Sequence, residues 1–201
     1  AILAALLLPA LSKAKARASR IACLNNLKQL QLCWQMYVDD HHDKVPSNVA
    51  HSTNGVWRSA PNSWIGDSSA PHDPDTSRIE NGAFFQDDYN RAMHLYHCPA
   101  DKSVVRTLAG VETGPERTRS YSMNANLGGP SAFVPRVVAK AAAIPDPQEL
   151  FVFLDEHERF IDDACFTVTP APGDSWSNVP SDRHSKGCNF SFADGHVEHW
   201  T

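Results

Sequence analysis

The sequence predicts an α+β protein: a long N-terminal helix packed on an antiparallel β-sheet, with a loop-rich globular head. Three stretches carry that prediction. Residues 1 to 39 open with an all-apolar segment and continue with strong helix formers whose apolar positions recur at spacings of four and three. Glu149-Leu150-Phe151-Val152-Phe153-Leu154 is apolar on both faces, as a central strand is. In the tail, Cys188, Phe190 and Phe192 alternate with Asn189 and Ser191, the period of a half-buried strand. Asp194-Gly195 is a tight-turn pair, and Val197 to Trp200 reads as the return strand of a hairpin.

Composition narrows the function classes. With 201 residues, 42% hydrophobic and 20% charged, the chain has room for one cored domain and an extension. A net charge of -5, with no basic run beyond residues 13 to 20, argues against nucleic acid as a partner. There is no Gly-rich phosphate loop, dinucleotide fingerprint or Gly-x-Ser-x-Gly elbow. The five cysteines (Cys23, Cys33, Cys98, Cys165 and Cys188) form no CxxC pair, which excludes a zinc ribbon or a thioredoxin-like motif.

Taken in order, Ala1 to Leu8 is apolar on every side and Pro9 follows. Eight residues are too few to cross a bilayer, which takes about 20. The segment is either a buried first helix turn or the end of a longer membrane helix. Lys13 to Ala18 is basic and helix-forming, and Cys23, Leu27, Leu30, Trp34 and Tyr37 make one apolar stripe. We therefore expect one helix over residues 2 to 39, bent near Pro9 and on the order of 57 Å long. That is longer than one small domain covers, so the chain divides into an N-terminal helix (1–40) and a head (41–201).

Residues 44 to 90 are loop-rich, with Pro46, Pro61, Pro71 and Pro74. Trp57, Trp64, Phe84 and Phe85 anchor them, as a satellite core rather than a sugar platform. His72, Asp73 and Asp75 read as a solvated acidic turn. Cys98 reads as structural, because a nucleophile would need a positioned histidine and a lowered pKa. Arg119 to Asn124 is a strand leading into the turn Gly128-Gly129-Pro130, and Cys165 to Val168 is another. Pro170, Pro172 and Gly173 open a loop that runs to Pro180.

The central strand ends in Asp155-Glu156, and the tail hairpin carries His184, Asp194 and His196. These five are the ligand-type residues expected to converge, and a mixed His and carboxylate set suits Mn, Fe or Zn. The plainer reading is that Asp194 caps the hairpin turn while His184 bonds a carboxylate to hold the tail. A structural cation and a catalytic metal are the other two readings.

Both ends of the chain resemble one family. His184, nine residues, then Asp194-Gly195 is the mark of the C-terminal domain of prepilin-like proteins of planctomycetes and verrucomicrobia. Ala1 to Lys15 resembles the helix segment that follows the processing motif in type IV pilins and type II secretion pseudopilins. Cys23-Leu24-Asn25-Asn26-Leu27-Lys28-Gln29-Leu30 and Tyr96 to Lys102 are similar to segments of the prepilin-like group. The resemblance implies a non-catalytic filament subunit with a pilin-like helix. Its precursor would be anchored in the inner membrane, cut and methylated by a prepilin peptidase, and assembled with copies of itself or other pilin-like subunits into a periplasmic or extracellular filament. The peptidase-recognition segment is not in this sequence, so a longer precursor is expected. By analogy with major pseudopilins, calcium is the cation implied, at Asp155, Asp163 and Asp194. A disulfide between Cys23 and Cys98, pinning a loop to the helix, is a further hypothesis. The rival readings are an envelope-anchored module binding glycan or metal, and a metal-dependent hydrolase.

Overall fold

The computed structural model describes residues 2–129, 134, 137–168 and 177–201, with side chains from residue 7 onward. Pro130, and the expected loop through Pro170, Pro172 and Gly173, lie outside the described residues. One helix, α1 (Ile2–Asp40), runs through Pro9. A hairpin of β1 (Ala50–Thr53) and β2 (Val56–Ser59) follows, then the single-turn helices α2 (Ser77–Glu80) and α3 (Ala83–Gln86) and a 3-10 turn, Met93–Tyr96. A ribbon of β3 (Val104–Arg106) and β4 (Glu112–Glu116) leads into the main sheet. That sheet comprises β5 (Tyr121–Asn124), β6 (Phe151–Asp155), β7 (Cys165–Phe166), β8 (Cys188–Phe192) and β9 (Val197–Trp200), in the order β7-β5-β6-β8-β9. The class is α+β.

One expectation about the sheet needs correcting. Three of its pairings are antiparallel, but β7 runs parallel to β5, with Met123 opposite Cys165 and Asn124 opposite Phe166. After β6 the chain crosses to the outer side of β5 and re-enters in β5's own direction, which a tight hairpin does not permit. The strand is also shorter than expected, stopping at Phe166 rather than Val168.

The second half of α1 lies across β6, β8 and β9. Cys23, Leu27, Leu30 and Trp34 are buried, as their spacing requires, and Cys33 and Val38 join them. Residues 7–18 are exposed all round, roughly 18 Å of helix. Leu7, Leu8 and Leu11 are each more than 60% exposed. Among the described residues no helix is long and apolar enough to cross a membrane.

The tail hairpin is where it was expected, but β8 is buried on both faces. Phe190 and Phe192 pack with Phe151, Leu154 and Phe166 on the side away from the helix. Asn189 and Ser191 face α1. There the Asn189 amide donates to the Arg20 carbonyl (3.3 Å), and the Ser191 hydroxyl bonds Gln31 Oε1 (2.9 Å). Polar residues under a helix are tolerated because each finds a partner.

Trp64 is the hub of the helix-side core. It is fully buried, with ring centroids 4.9 Å from Phe153, 6.1 Å from Phe84 and 6.4 Å from Tyr96, and its indole N–H donates to the Ala164 carbonyl (3.1 Å). Trp57, on β2, keeps part of its ring in solvent. Trp64→Ala should cost about 3–5 kcal/mol in urea unfolding, and Trp64→Phe clearly less, because Phe leaves a smaller cavity. Equal losses for the two would contradict this packing.

Candidate functional site

Four segments far apart in the sequence meet beneath α1. Cys23 begins the buried stripe of the helix. Cys98 follows the 3-10 turn and is held by its backbone N–H on the Ser120 hydroxyl (3.1 Å). Asp155 is the last residue of β6, paired with Tyr121 of β5. His184 sits in the turn after Ser181, whose N–H donates to the Asp155 carbonyl (2.8 Å). Ser185 and Lys186, with φ of 59° and 66°, turn the chain back into β8.

The ligand atoms of Cys23, Cys98, Asp155 and His184 all lie within 4.8 Å of one another, and all four residues are buried. His184 Nε2 is 3.2 Å from Cys98 Sγ and 3.4 Å from Asp155 Oδ2, and Cys23 Sγ is 3.9 Å from that same oxygen. The Tyr121 hydroxyl donates to Cys23 Sγ (3.3 Å). The other carboxylate oxygen of Asp155 takes Arg183 Nη1 at 2.6 Å. Arg183 also reaches Asp101 (3.3 Å), Glu158 (3.0 Å) and the Glu156 carbonyl (3.0 Å).

Electrostatics follow from that packing. Burial penalises the imidazolium of His184, but Asp155 and Cys98 outweigh it and push the group up to about 9. The hydrogen bond from Cys23 lowers Cys98 to about 7 against its burial, with His184 helping. Cys23 itself is driven well upward, chiefly by burial. Burial would raise Asp101, yet Arg183 holds it below the usual carboxylate value.

Although Cys98, His184 and Asp155 are the residue types of a nucleophile relay, their geometry is not one. A relay uses one ring nitrogen for the nucleophile and the other for the carboxylate. Here Nε2 faces both. The thiol is also fully buried. No family model, curated protein or solved structure matches this chain.

Of the six expected ligands, Asp155 and His184 are the two that join this cluster. Glu156 points to the opposite face of the sheet, because successive strand residues alternate. There it accepts from the Asn178 amide (2.7 Å), and burial pushes it up to about 8 against Ser122 and Asn178. Asp163 accepts from the Cys165 N–H (2.7 Å) beside β7. Asp194 and His196 pair with each other at the hairpin tip (2.6 Å), where Asp194 also caps the turn through the His196 N–H (3.0 Å). The set Asp155, Asp163 and Asp194 implied for calcium is thus spread over three places. Asp73, expected in a solvated turn, is buried and accepts from Ser68 (2.6 Å) and Ser69 (3.1 Å). Cys23 and Cys98, expected as a disulfide, are free thiols in the same cluster. Arg183 and Asp101 were missed. The Arg183-His184 pair beside a buried strand end was the available signal.

Arg183→Met would remove the guanidinium that pairs with both Asp155 and Asp101. The expected loss is about 3–5 kcal/mol in urea unfolding, with Arg183→Lys falling between that variant and the parent. A loss under about 1 kcal/mol for Arg183→Met would show that the pair is already neutralised otherwise.

Asp163 allows a separate pH test. Burial and its neighbour Asp162 raise its carboxyl from 3.8 to about 7, against the Cys165 N–H and Arg119. The folded chain then holds a proton that the unfolded chain releases, so stability falls as pH rises between those two values. Asp163→Asn should flatten that fall in a series of melting temperatures, and an unchanged slope would contradict the assignment.

Proposed function

We propose that this chain is a non-catalytic structural subunit of a type IV pilus-like or type II secretion pseudopilus-like filament. The observation that carries the reading is the division of α1. Its second half is buried on the sheet through Cys23, Leu27, Leu30 and Trp34, while residues 7–18 expose Leu7, Leu8 and Leu11 next to Lys13, Lys15 and Arg17. Exposed leucines on a helical arm held off a folded head call for other surfaces to cover them. Copies of the same arm, or those of other pilin-like subunits, supply such a surface in a staggered array that propagates because it does not close. On this reading the precursor is anchored in the inner membrane, a prepilin peptidase processes it, and the head stands in the periplasm or outside the cell.

The test uses the gene in its own cells. Native protein should carry a methylated N-terminal amine and appear in sheared filaments. Leu8→Asp with Leu11→Asp should abolish the filaments and leave the melting temperature of the head unchanged, because both side chains are exposed. Filaments that persist in the double variant would overturn the reading.

A further inference from the structure

We propose that Cys23, Cys98, Asp155 and His184 form a closed tetrahedral zinc site that locks α1 to the head. Geometry is the first argument. Zinc binds sulfur at about 2.3 Å and nitrogen or oxygen at about 2.0–2.2 Å, so a tetrahedral site has edges of about 3.3–3.8 Å. Three of the cluster's six edges measure 3.2, 3.4 and 3.9 Å, and all six lie within 4.8 Å. Side-chain shifts of up to about 1 Å on the longest edges would seat the ion.

The donor set is the second argument. Two sulfurs, an imidazole nitrogen and one carboxylate oxygen suit zinc, whereas calcium wants six or more oxygens. The third argument is how the ligands are held. Arg183 occupies Asp155 Oδ1 and leaves Oδ2 turned toward the thiols and the imidazole, and the Tyr121 hydroxyl steadies Cys23 Sγ. Such outer partners orient metal ligands. Charge agrees as well: Zn²⁺ with two thiolates, one carboxylate and a neutral imidazole carries a single negative charge, and the Arg183 guanidinium lies against it.

Convergence of Nε2 on both Cys98 and Asp155 also has an explanation here, since a metal draws every donor to one centre. Uptake of the ion displaces to solvent the protons that the thiols and the imidazole carry. All four coordination positions come from the protein, so no place is left for a reacting water and the ion is structural. The site joins the helix at Cys23, the loop at Cys98, the central strand at Asp155 and the tail turn at His184.

The full chain would be produced under reducing conditions with zinc chloride, desalted, and its metal content measured by mass spectrometry. One zinc per chain is expected. Cys98→Ser and His184→Ala should each retain fewer than about one zinc per ten chains, since each removes a ligand. Cys33→Ala, at a buried cysteine outside the cluster, should keep the full complement. Cobalt in the unaltered chain guards against variants that fail to fold: intense visible bands and thiolate-to-cobalt charge transfer mark a tetrahedral thiolate site. Absence of zinc from the unaltered chain, or a pale octahedral cobalt spectrum, overturns the proposal. A Cys23–Cys98 disulfide in protein from its own cells would do so too, because it consumes both thiolates.

Discussion

The buried carboxylate of Asp155 is the constraint on which the rest of the head depends. An ion at the end of a central strand, out of contact with water, is tolerable only when countercharge and hydrogen bonds surround it. Arg183 and His184 supply them, and both come from the turn that feeds β8. Satisfying Asp155 therefore places the tail turn, and the tail turn places the β8-β9 hairpin against β6. Arg183 reaches on to Asp101, whose carboxylate holds the Ser120 hydroxyl (2.7 Å), and that hydroxyl holds the Cys98 backbone. One ion thus positions the loop at Cys98, the entry to β5 and the tail together.

The seat of α1 on this platform is specific for a different reason. An apolar stripe fixes which face of the helix is buried but resists sliding along the sheet only weakly. Directional partners prevent it: Gln31 with Ser191, the Arg20 carbonyl with Asn189, and Lys28 Nζ donating to the Gly195 carbonyl (2.6 Å). Gly195 has φ of 98°, and a Cβ there would stand 2.7 Å from Gln35 Nε2. The turn that Asp194 caps is thereby pressed against the helix, and this ties the tail motif to α1.

Much of this was legible in the sequence, and the failures share a cause. The helix, the central strand and the hairpin were carried by local periodicity, which one strand or helix displays by itself. What failed was pairing across distance. Glu156 was grouped with Asp155 because the two are adjacent, although adjacency in a strand sends side chains to opposite faces. Asp194 and His196 were grouped with His184 because all three belong to the tail, but β8 carries the hairpin tip away from the turn at His184. Asn189 and Ser191 looked solvent-facing because polar residues alternating with phenylalanine usually are. Nothing local announces that a helix covers them and that Gln31 and a backbone carbonyl await them. Cys23 and Cys98 were expected as a disulfide, whereas both are free thiols in a four-residue cluster. A pair can be suggested by pinning a loop to a helix, whereas a four-residue set needs the register of the sheet.

The position of the cluster along α1 bears on what the chain can do mechanically. Cys23 lies at the changeover, where an exposed arm becomes a buried one. Any force applied to the arm enters the head there. Hydrophobic contact resists separation through its area but resists sliding weakly, since one apolar contact is exchanged for another. Groups with fixed directions resist both. The thiol of Cys23, held by Tyr121 and facing Asp155, and the Asn189 amide on the Arg20 carbonyl stand at that changeover. In a filament built on the arm, pull on a subunit would reach the central strand through them before it reached the apolar stripe. On the proposed filament reading, these directional contacts would keep the head fixed to a loaded helix.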